Sequence, residues 1–131
     1  MSQINSIASS GGGGSGGTTV TGTAQTIGAT TADAITMSLG ISATTKIAEV
    51  KVVGFESTTP TGCGYNLIGV VRTTGAAATF IGTQDKYTAE AAGLFGCDAN
   101  FVVVGNDLII RVTGIAGLTI NWKAILTYIG V

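Results

Sequence analysis

Two apolar runs, Phe101-Val102-Val103-Val104 and Asp107-Leu108-Ile109-Ile110-Arg111-Val112, are separated by Gly105-Asn106 alone. A two-residue connection between such runs is a β-hairpin turn, in which glycine supplies the positive φ at no steric cost. Nothing else in the chain constrains its fold so tightly. Beside this hairpin, no stretch carries a helical period long enough to cover a parallel sheet, which excludes α/β folds.

Other runs repeat the β pattern. Residues 18–25 are rich in Thr and Val, and residues 33–39 alternate polar with apolar. Residues 46–57 form a longer strand that turns Val50 and Val52 one way and Glu49 and Lys51 the other, with Gly54 read as a bend or bulge. Residues 58–62 hold the one proline and form a loop. Residues 65–73 are apolar on both faces, Leu67 and Val71 on one and Ile68 and Val70 on the other, and residues 79–83 make a shorter strand. Residues 84–100 are the least strand-like, and Ala89-Glu90-Ala91-Ala92 reads as a helical turn ended by Gly93. Gly114-Ile115-Ala116-Gly117 reads as the turn of a second hairpin leading into residues 118–129. On that last strand Ile120, Trp122, Ala124, Leu126 and Tyr128 share one face, and Asn121, Lys123, Ile125, Thr127 and Ile129 the other.

The expected fold is therefore all-β, an antiparallel β-sandwich of about eight strands over residues 18–131, with jelly-roll and immunoglobulin-like topologies both open. Residues 1–17, MSQINSIASSGGGGSGG, are a separate arm: a polar segment with Ile4 and Ile7, then a glycine run with no core of its own. The run is not a phosphate loop, since no Lys-Ser/Thr follows it.

Composition then narrows the function. Charged residues make up 10% of the chain and hydrophobic ones 45%, at a mean hydropathy of +0.52. Soluble domains carry roughly 25% charged residues, so this surface is either coated by Ser, Thr and Gly or covered by other subunits. Six basic residues spread along the chain build no phosphate-tracking patch, so nucleic acid is not an expected partner. The most apolar stretch is broken by Arg111, Asn121 and Lys123, so no membrane span is expected, and no secretory signal is seen. Without histidine there is no Ser-His-Asp triad and no His-based zinc site. Cys63 and Cys97 are too few for a metal site; they lie in expected loops, read as reduced thiols with a disulfide left open. No cofactor or metal is expected.

Of the seven carboxylates, Glu49 and Glu56 fall on opposite faces of one strand, while Asp85 and Glu90 share a loop in which they could converge as an acid–base pair. Their bland role, solvated surface charge, is favoured, and the chain is not expected to be an enzyme. Trp122 is assigned to the core. Tyr65 and Tyr87, at strand or loop ends, are candidate contact residues, and so are Ile125 and Ile129, apolar positions on the outward face of the last strand. With Ile4 and Ile7 on the arm, these six are the candidate interface, and a homo-oligomer is the expected state.

The run from Gly105 to Ala124, GNDLIIRVTGIAGLTINWKA, resembles a C-terminal signature of tailed-bacteriophage virion proteins, in which G-N-x-L-x-I-x-V-T-G, a short turn and T-I-x-W close a β-domain. Val20-Thr21-Gly22-Thr23-Ala24 and Thr83-Gln84-Asp85 resemble the same family. The resemblance implies a virion structural protein made in the host cytoplasm. Its first form is a capsid decoration (cement) protein, a trimer bound to the major capsid protein and stabilising the shell by mass action. The alternative is a tail-fibre or collar-fibre component whose sandwich is a host-attachment head, with a carbohydrate site near Tyr65 or Tyr87.

Overall fold

Side chains alternate across a strand, so each strand presents one set to a core and one to the outside. In the computed structural model, which describes residues 17–131, this produces eight strands. They are β1 (Thr18–Ile27), β2 (Thr31–Ser38), β3 (Thr44–Glu56), β4 (Thr61–Thr73), β5 (Ala78–Glu90), β6 (Asp98–Val104), β7 (Asp107–Thr113) and β8 (Thr119–Gly130). Ile4 and Ile7 lie outside the described residues.

The strands form two antiparallel sheets, a larger one in the order β1-β8-β3-β4-β5 and a smaller one in the order β2-β7-β6. The expected β-sandwich is what the chain forms. Between the sheets Ile120, Trp122, Ala124 and Leu126 of β8, Val50 and Val52 of β3, and Leu67 and Val71 of β4 meet Ile35, Leu108, Ile110 and Val112 of the smaller sheet, all buried.

The hairpin turns at Gly105-Asn106 as expected, with Val104 opposite Asp107 and Gly105 at φ +58°. Asn106 does more than turn the chain. Its amide donates to the carbonyls of Gly40 and Gly75, its Oδ1 accepts from the Thr73 hydroxyl, and its backbone carbonyl accepts from Leu39 N–H at 3.0 Å. One side chain thus joins the β2–β3 and β4–β5 loops to the β6–β7 turn, binding both sheets together at one pole.

Three local expectations are corrected. Residues 114–117 do not close a hairpin, because β7 and β8 belong to different sheets and the segment crosses between them. Gly114 is there for contact: a Cβ on it would lie 2.4 Å from Thr26 Oγ1 and 2.7 Å from the Gly28 carbonyl oxygen. Residues 84–90 belong to β5, and the helical turn is a 3₁₀ turn over Ala92–Leu94. The pattern there is hidden by a bulge between Ile81 and Asp85, opposite Gly69, with Gly82 in the left-handed region at φ +70°, and by exposure of residues 81–89 on this edge strand. Gly54 makes no bulge either. Its registers with β4 and β8 run unbroken, and a Cβ would sit 2.8 Å from the Trp122 ring and 2.9 Å from Cys63 Sγ. It is glycine because a ring lies on it.

Candidate functional site

The registers of the larger sheet decide which outward side chains become neighbours. Ile129 of β8 is opposite Ile47 of β3, Ile47 is opposite Val70 of β4, and Val70 is opposite Ile81 of β5. Four apolar side chains from four strands therefore form one row on the outer face. Ile129, Ile47 and Ile81 are 55%, 46% and 47% exposed. Burying a half-exposed aliphatic side chain of this size contributes about 1 kcal/mol, so the row is a substantial unmet contact. Beside it, Ile47, Ile68 and Ile129 line a shallow groove with Glu49, Thr127 and Gly17.

The next row in that direction is mixed, Thr127-Glu49-Ile68-Asp85, and the one after it is Ile125-Lys51-Asn66-Tyr87. Ile129 is thus brought into an apolar surface. Ile125 stands between Thr21 and Lys51, and Tyr87 is 68% exposed opposite Asn66, both on the same face. Tyr65 is corrected: it is 3% exposed and cannot contact another molecule. β4 begins at Thr61, so Tyr65 is mid-strand on the inner face with Leu67, and its hydroxyl donates to Glu90 at 2.6 Å. Burial, and then the Glu90 bond, push the Tyr65 phenol far above its ordinary range. Ile47, Val70 and Ile81 were not among the sequence candidates. The signal was partly there, since residues 65–73 read as apolar on both faces, but the row needs a register between distant strands.

Five of the seven carboxylates, Asp33, Glu49, Glu56, Glu90 and Asp98, are engaged by other side chains or backbone groups. Asp85 and Glu90 stand on opposite faces of β5, Asp85 opposite Ile68 and Glu90 opposite Cys63, so they do not converge. Asp33 pairs with Arg111 at 2.8 Å, Asp98 with Lys86 at 2.6 Å, and Glu49 with Lys51 at 3.2 Å. Glu56, 2% exposed, accepts from Thr58 N–H at 3.0 Å, Thr59 N–H at 2.9 Å and the Thr59 hydroxyl at 2.7 Å, closing the β3–β4 turn. Those Thr59 bonds, outweighing burial, hold its carboxyl down at about 2, against 4.5 for an ordinary glutamate. Because the folded-state value is lowered, the stabilisation is present above about pH 4.5 and is lost as pH falls toward 2. Glu56→Gln should flatten the fall of the urea midpoint between pH 5 and pH 3; a slope equal to the wild type's would show that this turn does not couple to acid.

Cys63 and Cys97 are buried free thiols rather than loop residues on the surface. Both belong to the same core cluster, Cys63 from β4 and Cys97 just before β6. Burial raises both, Cys97 to about 12, so neither is a ready nucleophile. Among the described residues no three His, Cys, Asp or Glu side chains gather as a metal site, and no helix is long and apolar enough to cross a membrane.

No protein-family model and no curated protein matches the chain. Two solved structures are similar to it at low identity. One is the tailspike protein of Acinetobacter baumannii bacteriophage Fri1, a capsular polysaccharide depolymerase, at a TM-score of 0.46 and 12% identity over 95% of this chain and 19% of that one. The other is the tailspike protein of Acinetobacter baumannii phage AM24, at a TM-score of 0.41 and 8% identity over 84% of this chain and 26% of that one. Both are phage tailspikes. The chain spans only about a fifth and a quarter of their lengths, and at these scores neither likeness tells what it does.

Proposed function

We propose that this chain is a structural module of a tailed-phage virion, acting by assembly and attachment rather than by turnover. The observation that carries the reading is where the signature-like residues fall. Gly105-Asn106 is the turn that ties two other loops to itself, β7 is the centre of the smaller sheet, and β8 lies between β1 and β3 with Trp122 in the core. The residues that resemble the virion family are thus those that close this sandwich, which supports a likeness of architecture rather than of a few loose positions.

Within a virion, the geometry supports a place in the tail, as part of a fibre or spike, better than a place on the capsid. β1 and β8 pair with Thr18 opposite Tyr128, so both ends of the sandwich leave from neighbouring strands at the Asn106 pole. The loops between β1 and β2, β3 and β4, β5 and β6, and β7 and β8 all lie at the other pole. This suits a head carried at one end and presenting loops at the other. Capsid decoration is the second reading, supported by the low charge and the uncovered apolar row. Partners under either are copies of this chain and other virion proteins. Antibody labelling of intact particles tests the reading: a few copies at the tail are expected, many copies over the shell would turn it to decoration, and none on the particle would overturn it.

A further inference from the structure

The apolar row on the larger sheet has unlike charges on its two sides. Toward the Asn106 pole the adjoining outward row is Thr45-Arg72-Thr79, and on the other side it is Thr127-Glu49-Ile68-Asp85. Outward residues on one strand are about 7 Å apart, so Arg72 and the two carboxylates stand at similar distances from the row. Among the described residues Arg72 and Asp85 take part in no ion pair, and Glu49 has only the exposed Lys51.

We propose that this face is the contact between two copies of the chain, packed sheet on sheet about a two-fold axis running along the row Ile129-Ile47-Val70-Ile81. Rotation about that axis lays the apolar row on its counterpart and exchanges the two sides. A residue one step above the row then meets, on the same strand of the other copy, the residue one step below. Arg72 lands on Ile68 of the second copy, with Glu49 and Asp85 of that copy to its left and right. The symmetry repeats the contact in the opposite sense, as a self-complementary interface requires. The other sheet-on-sheet two-fold, along the strands, keeps Arg72 in the same row as its counterpart and crowds the carboxylates of both copies together. Charge selects the first arrangement over the second. Sandwiched sheets pack with strand directions within about 30° of each other, which this axis allows for twisted sheets. The inference stands apart from where the protein sits in a virion.

Sedimentation of the full chain over a range of concentrations tests it, with circular dichroism to confirm that each variant is folded. The wild type is expected to sediment as a dimer. Arg72→Glu should weaken association at least about 10-fold, and Glu49→Arg with Asp85→Arg in the same chain as Arg72→Glu should restore it. Ile47→Thr should weaken it independently of salt. A monomeric or trimeric wild type, a dimer indifferent to Arg72→Glu, or a folded triple variant that stays monomeric would each overturn the proposal.

Discussion

Gly22→Ala is expected to destabilise the fold by about 3 kcal/mol, a large share of the stability of a domain this size. Gly22 is on the inner face of β1, where the larger sheet packs against Ala34 and Ile35 of β2. A Cβ there would lie 1.9 Å from the Ala34 carbonyl oxygen, 2.9 Å from its carbonyl carbon and 2.7 Å from Ile35 Cγ1. The first two are backbone atoms and have no rotamer by which to move aside. They also belong to a bulge, since the β2–β7 register shifts between Asp33 and Ile35, so the close approach comes from the path of β2 itself. Relief would need the two sheets to part, and the cost would spread through Leu108, Ile110 and Ile120. Gly64→Ala is the control. Its nearest neighbour would be the Val52 carbonyl oxygen at 3.6 Å, an ordinary contact, and its effect should stay within about 0.5 kcal/mol. Urea unfolding of both variants measures the difference. A Gly22→Ala protein as stable as Gly64→Ala would mean that the sheets do not touch at this point.

Trp122→Ala should cost about 4 kcal/mol, the ordinary range for removing a large buried aromatic side chain. The ring is 2% exposed, lies against Gly54 and stands 6.3 Å from the Tyr65 ring, so its loss opens a cavity bounded by strands that cannot close on it. Its indole N–H donates to the Thr26 hydroxyl at 2.9 Å, and Thr26 is itself 1% exposed. Trp122→Phe separates the two contributions. It keeps most of the apolar contact while leaving the Thr26 hydroxyl without its donor, which should cost about 1–3 kcal/mol. If the phenylalanine variant is as unstable as the alanine one, the hydrogen bond rather than the packing anchors this corner of the core.

Much of this arrangement can be read from the chain, and the rest divides by a physical criterion. The β6–β7 hairpin, the two faces of β8 and the opposite orientation of Glu49 and Glu56 depend on turn chemistry and a period of two, both local. Tyr65 was misplaced for a local reason as well: Gly62 and Gly64 flank Cys63, so the start of β4 reads as loop although both glycines sit in an unbroken register. The crossover at residues 114–117 is different in kind. Two strands joined by a glycine turn look alike whether they pair or part, and what decides it is that β8 finds β1 and β3. The apolar row is non-local in the same way. Ile129 stands out on its own strand, but it becomes part of a surface only through Ile47, Val70 and Ile81, and no pattern within one strand reveals that neighbourhood.

The place of β8 has a consequence for how the molecule is made. It is the last of the eight strands to be synthesised, yet it belongs in the middle of the larger sheet, paired on one side with β1 and on the other with β3. A nascent chain can zip β3, β4 and β5 into a meander early, because those contacts are close in sequence. Until β8 arrives, β1 has no partner in that sheet and β3 carries an open edge, a gap one strand wide between two rows of unsatisfied backbone groups. Closure is therefore a late and cooperative step, and crowded nascent chains would have an opportunity to donate the missing strand to one another before each completes its own.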